Sequence, residues 1–223
     1  LGELGHEGSI INTPDRGQIL RDLRKEDYDF IHVHYDVFYD IMDYIHTACP
    51  NAKLAISSHY PYIDQPDRHP LDGYDKIYKW LINNDKYYNF CISYKDYETY
   101  KKDNAPLDKL LVCPNGAQHR DYNFQEKPDK PEWTLYLGKI EPRKRQHLYQ
   151  GIYGIEFVGH YTNTTDFNPK LADYLGEWTH EHKLQHVTDY GNMMLLSDGE
   201  NGTPLVIKEA LISGLGVVVS KYA

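Results

Sequence analysis

The sequence has no run approaching the roughly eighteen apolar residues that a membrane-spanning helix requires, and no targeting segment stands at its start. It contains no low-complexity segment and no clear short repeat. Cysteine is scarce: Cys49, Cys91 and Cys113 are odd in number and spaced unlike a zinc or disulfide framework, which favours a reducing compartment. Positive charge is in deficit, with 24 Lys and Arg against 33 Asp and Glu and a formal net charge of −9. That balance argues against broad binding to nucleic acid or to an anionic membrane, and leaves room for one local basic pocket. What is present suits a folded chain. At 223 residues it holds one large domain or two smaller ones, and 40% apolar content supports real cores. Twenty-one tyrosines point to amphipathic surfaces and grooves without naming a ligand.

Short branched or aromatic runs alternate with longer amphipathic stretches. "YDFIHVH", "KLAISSH", "YYNFCIS" and "KLLVCPNG" read as strands. Between them "DVFYDIMDYIHTAC", "GYDKIYKWLINN" and "YKDYETYKK" read as helices. The charges and prolines of "NFQEKPDKPEW" suit a linker, after which the pattern starts again. Strands are expected at "WTLYLG", "GIEFVGH", "NMMLLS" and "GVVVS". Helices are expected at "PRKRQHLYQ", near Leu171, at a Thr179-led stretch and at "PLVIKEALIS". The gap between Gln150 and Gly154 is brief for a crossover, which points to missing residues or to a misread element. The fold class expected is α/β, with two successive units of mostly parallel sheet facing a cleft. The units are residues 1–125 and 133–223, joined by a linker over 126–132. The chain begins without Met and stops just after Lys221-Tyr222, so both ends read as interrupted elements, the first unit lacking its first strand.

Chemistry concentrates in the second half. In "LGKIEPRKRQH", Pro142 suits the first position of a helix, which puts Arg143, Lys144 and Arg145 in its first turn. Cations there oppose the macrodipole at roughly 0.3–1 kcal/mol each, a cost that a phosphate held by Lys144 and free N–H groups would offset. A plain basic surface is the alternative. Lys139 can reach the same anion. In "SDGENGTPLVIKEALIS", Gly199 and Gly202 permit turns and Thr203 can cap a helix starting at Pro204. Glu209 on that helix can accept two hydroxyl donors from a sugar diol, or can be an ordinary solvated residue. His59 ends a strand at "SSHYPY", where ligands of open α/β sheets gather; it can serve a sugar hydroxyl or a leaving oxygen, or be structural. His32 and His34 share one face of a strand, yet no third ligand follows at a metal spacing, so no metal site is expected. Asn115-Gly116 marks a tight turn.

Together these pieces resemble the retaining nucleotide-sugar glycosyltransferases of the two-lobed GT-B architecture. "LGELGHEG", "YDFIHVH", "ISSHYP", "FCISYKDYETY", "LLVCPNGAQHRDYNF", "LYLGKIEPRKRQ" and "SDGENGTPLVIKEALISGLGVVVS" follow that family's order and spacing over nearly the whole chain. The resemblance implies that Lys144 holds the donor diphosphate, with Lys139 where arginine is usual, and that Glu209 contacts the ribose. His59 matches the histidine near the donor sugar. The sugar-contacting glutamate is displaced: Asn201 stands at its place and Glu200 lies one position early, with eight residues before Glu209 instead of seven. Either the turn shifts and Glu200 serves, or Asn201 uses its amide.

The activity implied is transfer of a hexose from a nucleoside-diphosphate sugar to an acceptor hydroxyl with retention, in glycan or glycolipid synthesis. The implied catalytic group is His59, Lys144, Glu200 and Asn201, and the implied donor-binding group is Lys139, Lys144, Gly202, Thr203 and Glu209. No permanently bound cofactor and no metal are expected. Partners expected are the nucleotide-sugar and a glycan, lipid-linked or protein acceptor, and not nucleic acid. The expected location is cytoplasmic, with peripheral membrane contact for a lipid-linked acceptor. The alternatives are a nucleotide-sugar epimerase on the same scaffold and a non-catalytic nucleotide-sugar binding homologue.

Overall fold

The computed structural model describes residues 5–162 and 166–222. Of the expected "LGELGHEG" motif, residues 1–4 lie outside the described residues. The chain forms two compact units, Leu1–His59 with Asp64–Cys113, and Tyr60–Ile63 with Pro114–Ala223. Residues 114–125, expected in the first unit, therefore pack with the second. Their backbone groups explain why: Gln125 N–H donates to the Ser213 carbonyl at 3.1 Å and Lys208 Nζ donates to the Asn115 carbonyl. That carbonyl's engagement replaces the tight turn expected at Asn115-Gly116, which the structure does not form.

The first unit is a four-stranded parallel sheet in the order β1-β2-β3-β4. The strands are β1 (Phe30–Val33), β2 (Lys53–Ser57), β3 (Tyr88–Cys91) and β4 (Leu110–Val112). Helix α1 (Arg16–Leu23) precedes β1, and α2 (Met42–Ala48), α3 (Asp75–Asn83) and α4 (Tyr94–Lys102) supply the three crossovers. Helix α1 is absent from the sequence expectations, because "RGQILRDL" carries too few apolar residues to show a stripe. Its start is nonetheless marked: Asp15 accepts from Gln18 N–H, as Ser93 does from Asp96 N–H for α4. Such caps contribute about 1 kcal/mol each. The stretch before α2 is not one helix; Asp36–Ile41 forms a 3-10 segment that precedes it. The core is the run Leu54, Ala55 and Ile56 packed with Met42, Ile45, Leu81 and Tyr100, all nearly inaccessible to solvent.

The second unit is a five-stranded parallel sheet ordered β7-β6-β5-β8-β9. Its members are β5 (Lys130–Leu137), β6 (Ile155–Val158), β7 (Asp173–Tyr174), β8 (Tyr190–Leu195) and β9 (Gly216–Val219), with α5 (His180–His186) and α6 (Leu205–Ile212). Strand β5 starts at Lys130, inside the expected linker, because Lys130 already pairs with Tyr190. The helix expected near Leu171 is a turn leading into β7 on the sheet edge. Gly159 sits where the ends of β5 and β6 touch: a Cβ there would lie 1.9 Å from the Gly138 carbonyl oxygen. Both units are thus Rossmann-like lobes, and the fold is of GT-B architecture. Among the described residues no helix is long and apolar enough to cross a membrane.

Candidate functional site

In the second sheet the chain runs from β5 outward to β6 and β7, then crosses back to β8 on the other side of β5. The carboxyl ends of β5 and β8 therefore flank the point where strand order reverses, the place where open α/β sheets bind ligands. The loop after β5 carries Lys139, Arg143 and Lys144, and the loop after β8 carries Asp198, Gly199, Glu200 and Asn201.

No α-helix follows β5, contrary to the expectation for "PRKRQHLYQ". Pro142–Lys144 and Gln146–Leu148 make two separate 3-10 turns, split by Arg145 in the left-handed region at φ 59°. Three cations in one first turn with no acidic residue oppose a macrodipole. The buried Gln146 side chain offers the backbone an alternative: its Nε2 donates to the Lys139 carbonyl at 2.8 Å and its Oε1 accepts from Glu141 N–H. The whole of residues 138–154 serves as the crossover, which removes the apparent shortness of the gap before Gly154. With no helix, two of the N–H groups expected to face a phosphate are engaged within the turn: Lys144 N–H donates to the Glu141 carbonyl and Arg145 N–H to the Pro142 carbonyl.

The two loops are laced together. Tyr136 OH donates to the Lys144 carbonyl and accepts from Leu196 N–H at 3.0 Å. Asp198 N–H donates to the Arg143 carbonyl at 2.9 Å. Tyr62 donates to Asp198 Oδ1 at 2.6 Å, and its ring packs on Gly199 so closely that a Cβ there would lie 2.1 Å away.

On this frame Glu200 Oε1 lies 2.6 Å from Lys144 Nζ and 2.9 Å from Arg143 Nη1. Arg143 also donates to the Gly199 carbonyl at 2.5 Å and to Glu141 Oε1 at 2.6 Å. The Lys144 and Glu200 side chains are only 12% and 11% exposed. Burial pushes the Lys144 ammonium below its ordinary pKa, and the Glu200 carboxylate works against that push. Burial also disfavours the Arg143 cation, but Glu200 and Glu141 outweigh it and hold its pKa above the usual value. Lys139 is exposed at the end of β5, its side chain in no hydrogen bond or ion pair among the described residues. Asn201 and Gly202, with φ 66° at the glycine, continue the same loop toward α6.

Helix α6 starts at Leu205, with Pro204 at the cap position and no side-chain cap, so Thr203 does not cap it and is exposed. Glu209 is 9% exposed, which excludes the solvated alternative. It pairs with Lys183 Nζ at 2.8 Å rather than with the Arg143–Lys144–Glu200 group. The site thus includes Arg143, Glu141 and Tyr136 beside Lys144, and Lys183 beside Glu209. The first three lie within "LYLGKIEPRKRQ", while Lys183 is far from it in sequence and carries no local signal.

In the first unit His59 lies just beyond β2, not within it. Its ring meets His34 edge-on at 4.5 Å, and His34 meets His32 at 5.1 Å. His32 Nε2 bonds Ser57 Oγ at 2.7 Å. Burial, then the neighbouring histidines, lower His32 to about 4, and burial with His34 lowers His59. Both rings are therefore neutral at neutral pH. Among the described residues His59 Nε2 is buried without a hydrogen-bond partner. Among the described residues no three His, Cys, Asp or Glu side chains gather as a metal site.

No family model matches the sequence, and no curated protein matches it. Solved structures do share the fold. Anabaena HepE in complex with UDP-glucose superposes with a TM-score of 0.71 at 14% identity, covering 93% of this chain and 63% of that one. A S. aureus TarM variant, determined with Fondaparinux, alpha-GlcNAc-glycerol and UDP, gives 0.69 at 15% identity over 92% and 45%. The lipopolysaccharide outer core galactosyltransferase WaaB gives 0.59 at 14% identity over 92% and 60%. The chain thus spans less than two thirds of the length of these relatives.

Proposed function

We propose that this chain carries the binding site of a retaining glycosyltransferase that moves a hexose from a nucleoside-diphosphate sugar to an acceptor hydroxyl. The observation that carries the reading is the pair of cations, Arg143 and Lys144, converging on one carboxylate oxygen at the strand-order reversal. A diphosphate that takes the place of Glu200 gains two charge-assisted bonds in a site already shielded from water. HepE, which shares the fold, is seen with UDP-glucose and with UDP and glucose.

In this reading the acceptor oxygen attacks the anomeric carbon, the bond to the diphosphate breaks, and the acceptor proton passes to the departing phosphate oxygen on the same face. Lys144, Arg143 and Lys139 stabilise the growing negative charge, a preorganised electrostatic contribution that takes the role a metal plays elsewhere. Glu209 holds the ribose, and Gly202 and Thr203 shape the donor loop. Glu200, once released from the cations, or the amide of Asn201 contacts the transferred sugar. Neutral His59 serves the sugar or acceptor oxygen. The unit that ends at Cys113 is assigned to acceptor binding and the unit that contains Pro114–Ala223 to donor binding. The work is placed in the cytoplasm, at the membrane surface where the acceptor is lipid-linked.

Calorimetric titration of the full chain with a panel of nucleoside diphosphates tests the proposal. Lys144→Ala should weaken the best ligand by about tenfold or more, roughly 1.4 kcal/mol, whereas the exposed Lys127→Ala should change nothing. Equal affinities for all three proteins would overturn it. A protein that binds a donor tightly yet transfers from none supports a binding-only homologue, the reading favoured by Asn201 standing at the sugar-contact place.

A further inference from the structure

A second cationic pocket lies in the first unit, at the end of its sheet opposite His59. The strands are parallel, so their amino ends all emerge on one side. Three neighbouring strands each bring a lysine there: Lys53 opens β2, Lys86 stands two residues before β3, and Lys109 directly precedes β4. The register keeps them close. Ala55 is opposite Tyr88 and Asn89 is opposite Leu110, which sets Lys53 level with Lys86 and Lys109 level with Tyr88. The lysines ring a cavity of about 480 Å³ whose floor includes the buried Leu54 and Tyr87 and whose wall includes Tyr88.

The charge of this pocket runs against that of the chain. Acidic residues outnumber basic ones by 33 to 24, yet among the described residues no carboxylate lines the cavity. The nearby counterions are incomplete. Asp43 lies 3.1 Å from Lys86 Nζ but also accepts from Tyr87 OH at 2.6 Å. Asp108 is 3.9 Å from Lys109, with its own side chain 78% exposed. The Lys53 ammonium makes no hydrogen bond or ion pair among the described residues. Lys109 Nζ sits 5.4 Å from the centre of the Tyr88 ring, which holds its charge at the cavity wall. Like charges gathered without matching carboxylates repel one another, and a multivalent anion between them reverses that cost.

Ammonium groups are compact point charges with rotatable donors, which suits the tetrahedral oxygens of a phosphate. The cavity exceeds one phosphate and falls within the roughly 300–1,000 Å³ of small-molecule sites, leaving the tyrosine faces for an organic body. We propose that this pocket is a second anion site, separate from the Arg143–Lys144 loop, that binds a phosphate ester carrying at least two negative charges. A soluble ester and a lipid headgroup would be recognised by the same chemistry.

Site-resolved lysine acylation, read by mass spectrometry on the full chain, tests this. Saturating inorganic pyrophosphate, compared with sodium chloride at equal ionic strength, should slow acylation of Lys53, Lys86 and Lys109 by about fivefold or more. The exposed Lys127 should be unchanged. The protection should persist in Lys144→Ala, which separates this pocket from the donor loop. Lys53→Glu, at an exposed and unpaired position, should keep the wild-type melting temperature and abolish protection of Lys86 and Lys109. Phosphatidylcholine vesicles containing about one tenth phosphatidic acid identify the source of the ester. Protection beyond that given by pure phosphatidylcholine assigns a lipid headgroup, and protection by pyrophosphate alone assigns a soluble ester. Three lysines protected no more than Lys127 by either probe would overturn the proposal. So would protection that disappears in Lys144→Ala, or a Lys53→Glu protein protected like wild type.

Discussion

Removing the charge of Glu200 should separate its two roles with opposite signs. In the ligand-free protein its Oε1 is shared by Lys144 at 2.6 Å and Arg143 at 2.9 Å, and all three side chains are at most a quarter exposed. Breaking one partner of a buried ion pair typically costs about 3–5 kcal/mol, because the opposite charge is left uncompensated. Glu200→Gln keeps an acceptor oxygen, and Glu141 still neutralises Arg143, so the expected loss is smaller, about 2–3 kcal/mol. The same substitution removes the anion that a donor diphosphate has to displace. Affinity for inorganic pyrophosphate should therefore rise, by about tenfold for every 1.4 kcal/mol of that competition. Thermal unfolding without anion should show a lowered midpoint for Glu200→Gln. Millimolar pyrophosphate should restore it further than it raises the wild-type midpoint, since binding to the native state stabilises in proportion to affinity. Sugar transfer should fall if the freed carboxylate contacts the sugar. A variant as stable as wild type and weaker for pyrophosphate would refute the idea that Glu200 is the resident counterion of the phosphate site.

Two further outcomes concern the first unit. Asp96 is buried, and burial, only partly relieved by Ser93 and Lys95, raises its pKa from 3.8 to about 6. A carboxyl raised in the folded state stabilises below 3.8 and loses that contribution as pH rises through about 6, on the order of 3 kcal/mol. Asp96→Asn should therefore be more stable than wild type in urea unfolding at pH 7 and similar at pH 3; a variant less stable at pH 7 would contradict this sign. His32 is depressed from 6.5 to about 4, so its contribution is present above 6.5 and lost as pH falls through 4. The ring is partly exposed, which limits the loss to about 1 kcal/mol, and His32→Gln should flatten stability over that window. An unchanged slope would show that His32 does not carry it.

The strands were legible because buried parallel strands are short apolar runs, as in "KLAIS" and "IEFV", and one helix because Thr179 announces it. Helix α1 was not, since its polar sequence shows no stripe and is held by the Asp15 cap and tertiary contact. Lys144 and Glu200 were legible as chemistry-bearing residues that follow two separate strands, Lys144 in an expected helix turn and Glu200 in a loop. Their contact was not, because it depends on β5 and β8 being neighbours, a non-local fact about strand order. The helix expected after Pro142 failed for a local reason with a tertiary outcome: Gln146 found the Lys139 carbonyl, and the turn broke at Arg145.

Alternation of short apolar runs with amphipathic stretches was enough, by itself, to establish a parallel α/β chain in two units and to name most residues at its strand ends. Periodicity is a property of neighbouring residues, and so a linear reading recovers it. Only the tertiary structure decided that Glu200 compensates Lys144 and Arg143, and that Lys183 holds Glu209. Those pairs join residues distant in sequence, and their energies depend on burial and on distances that packing alone sets.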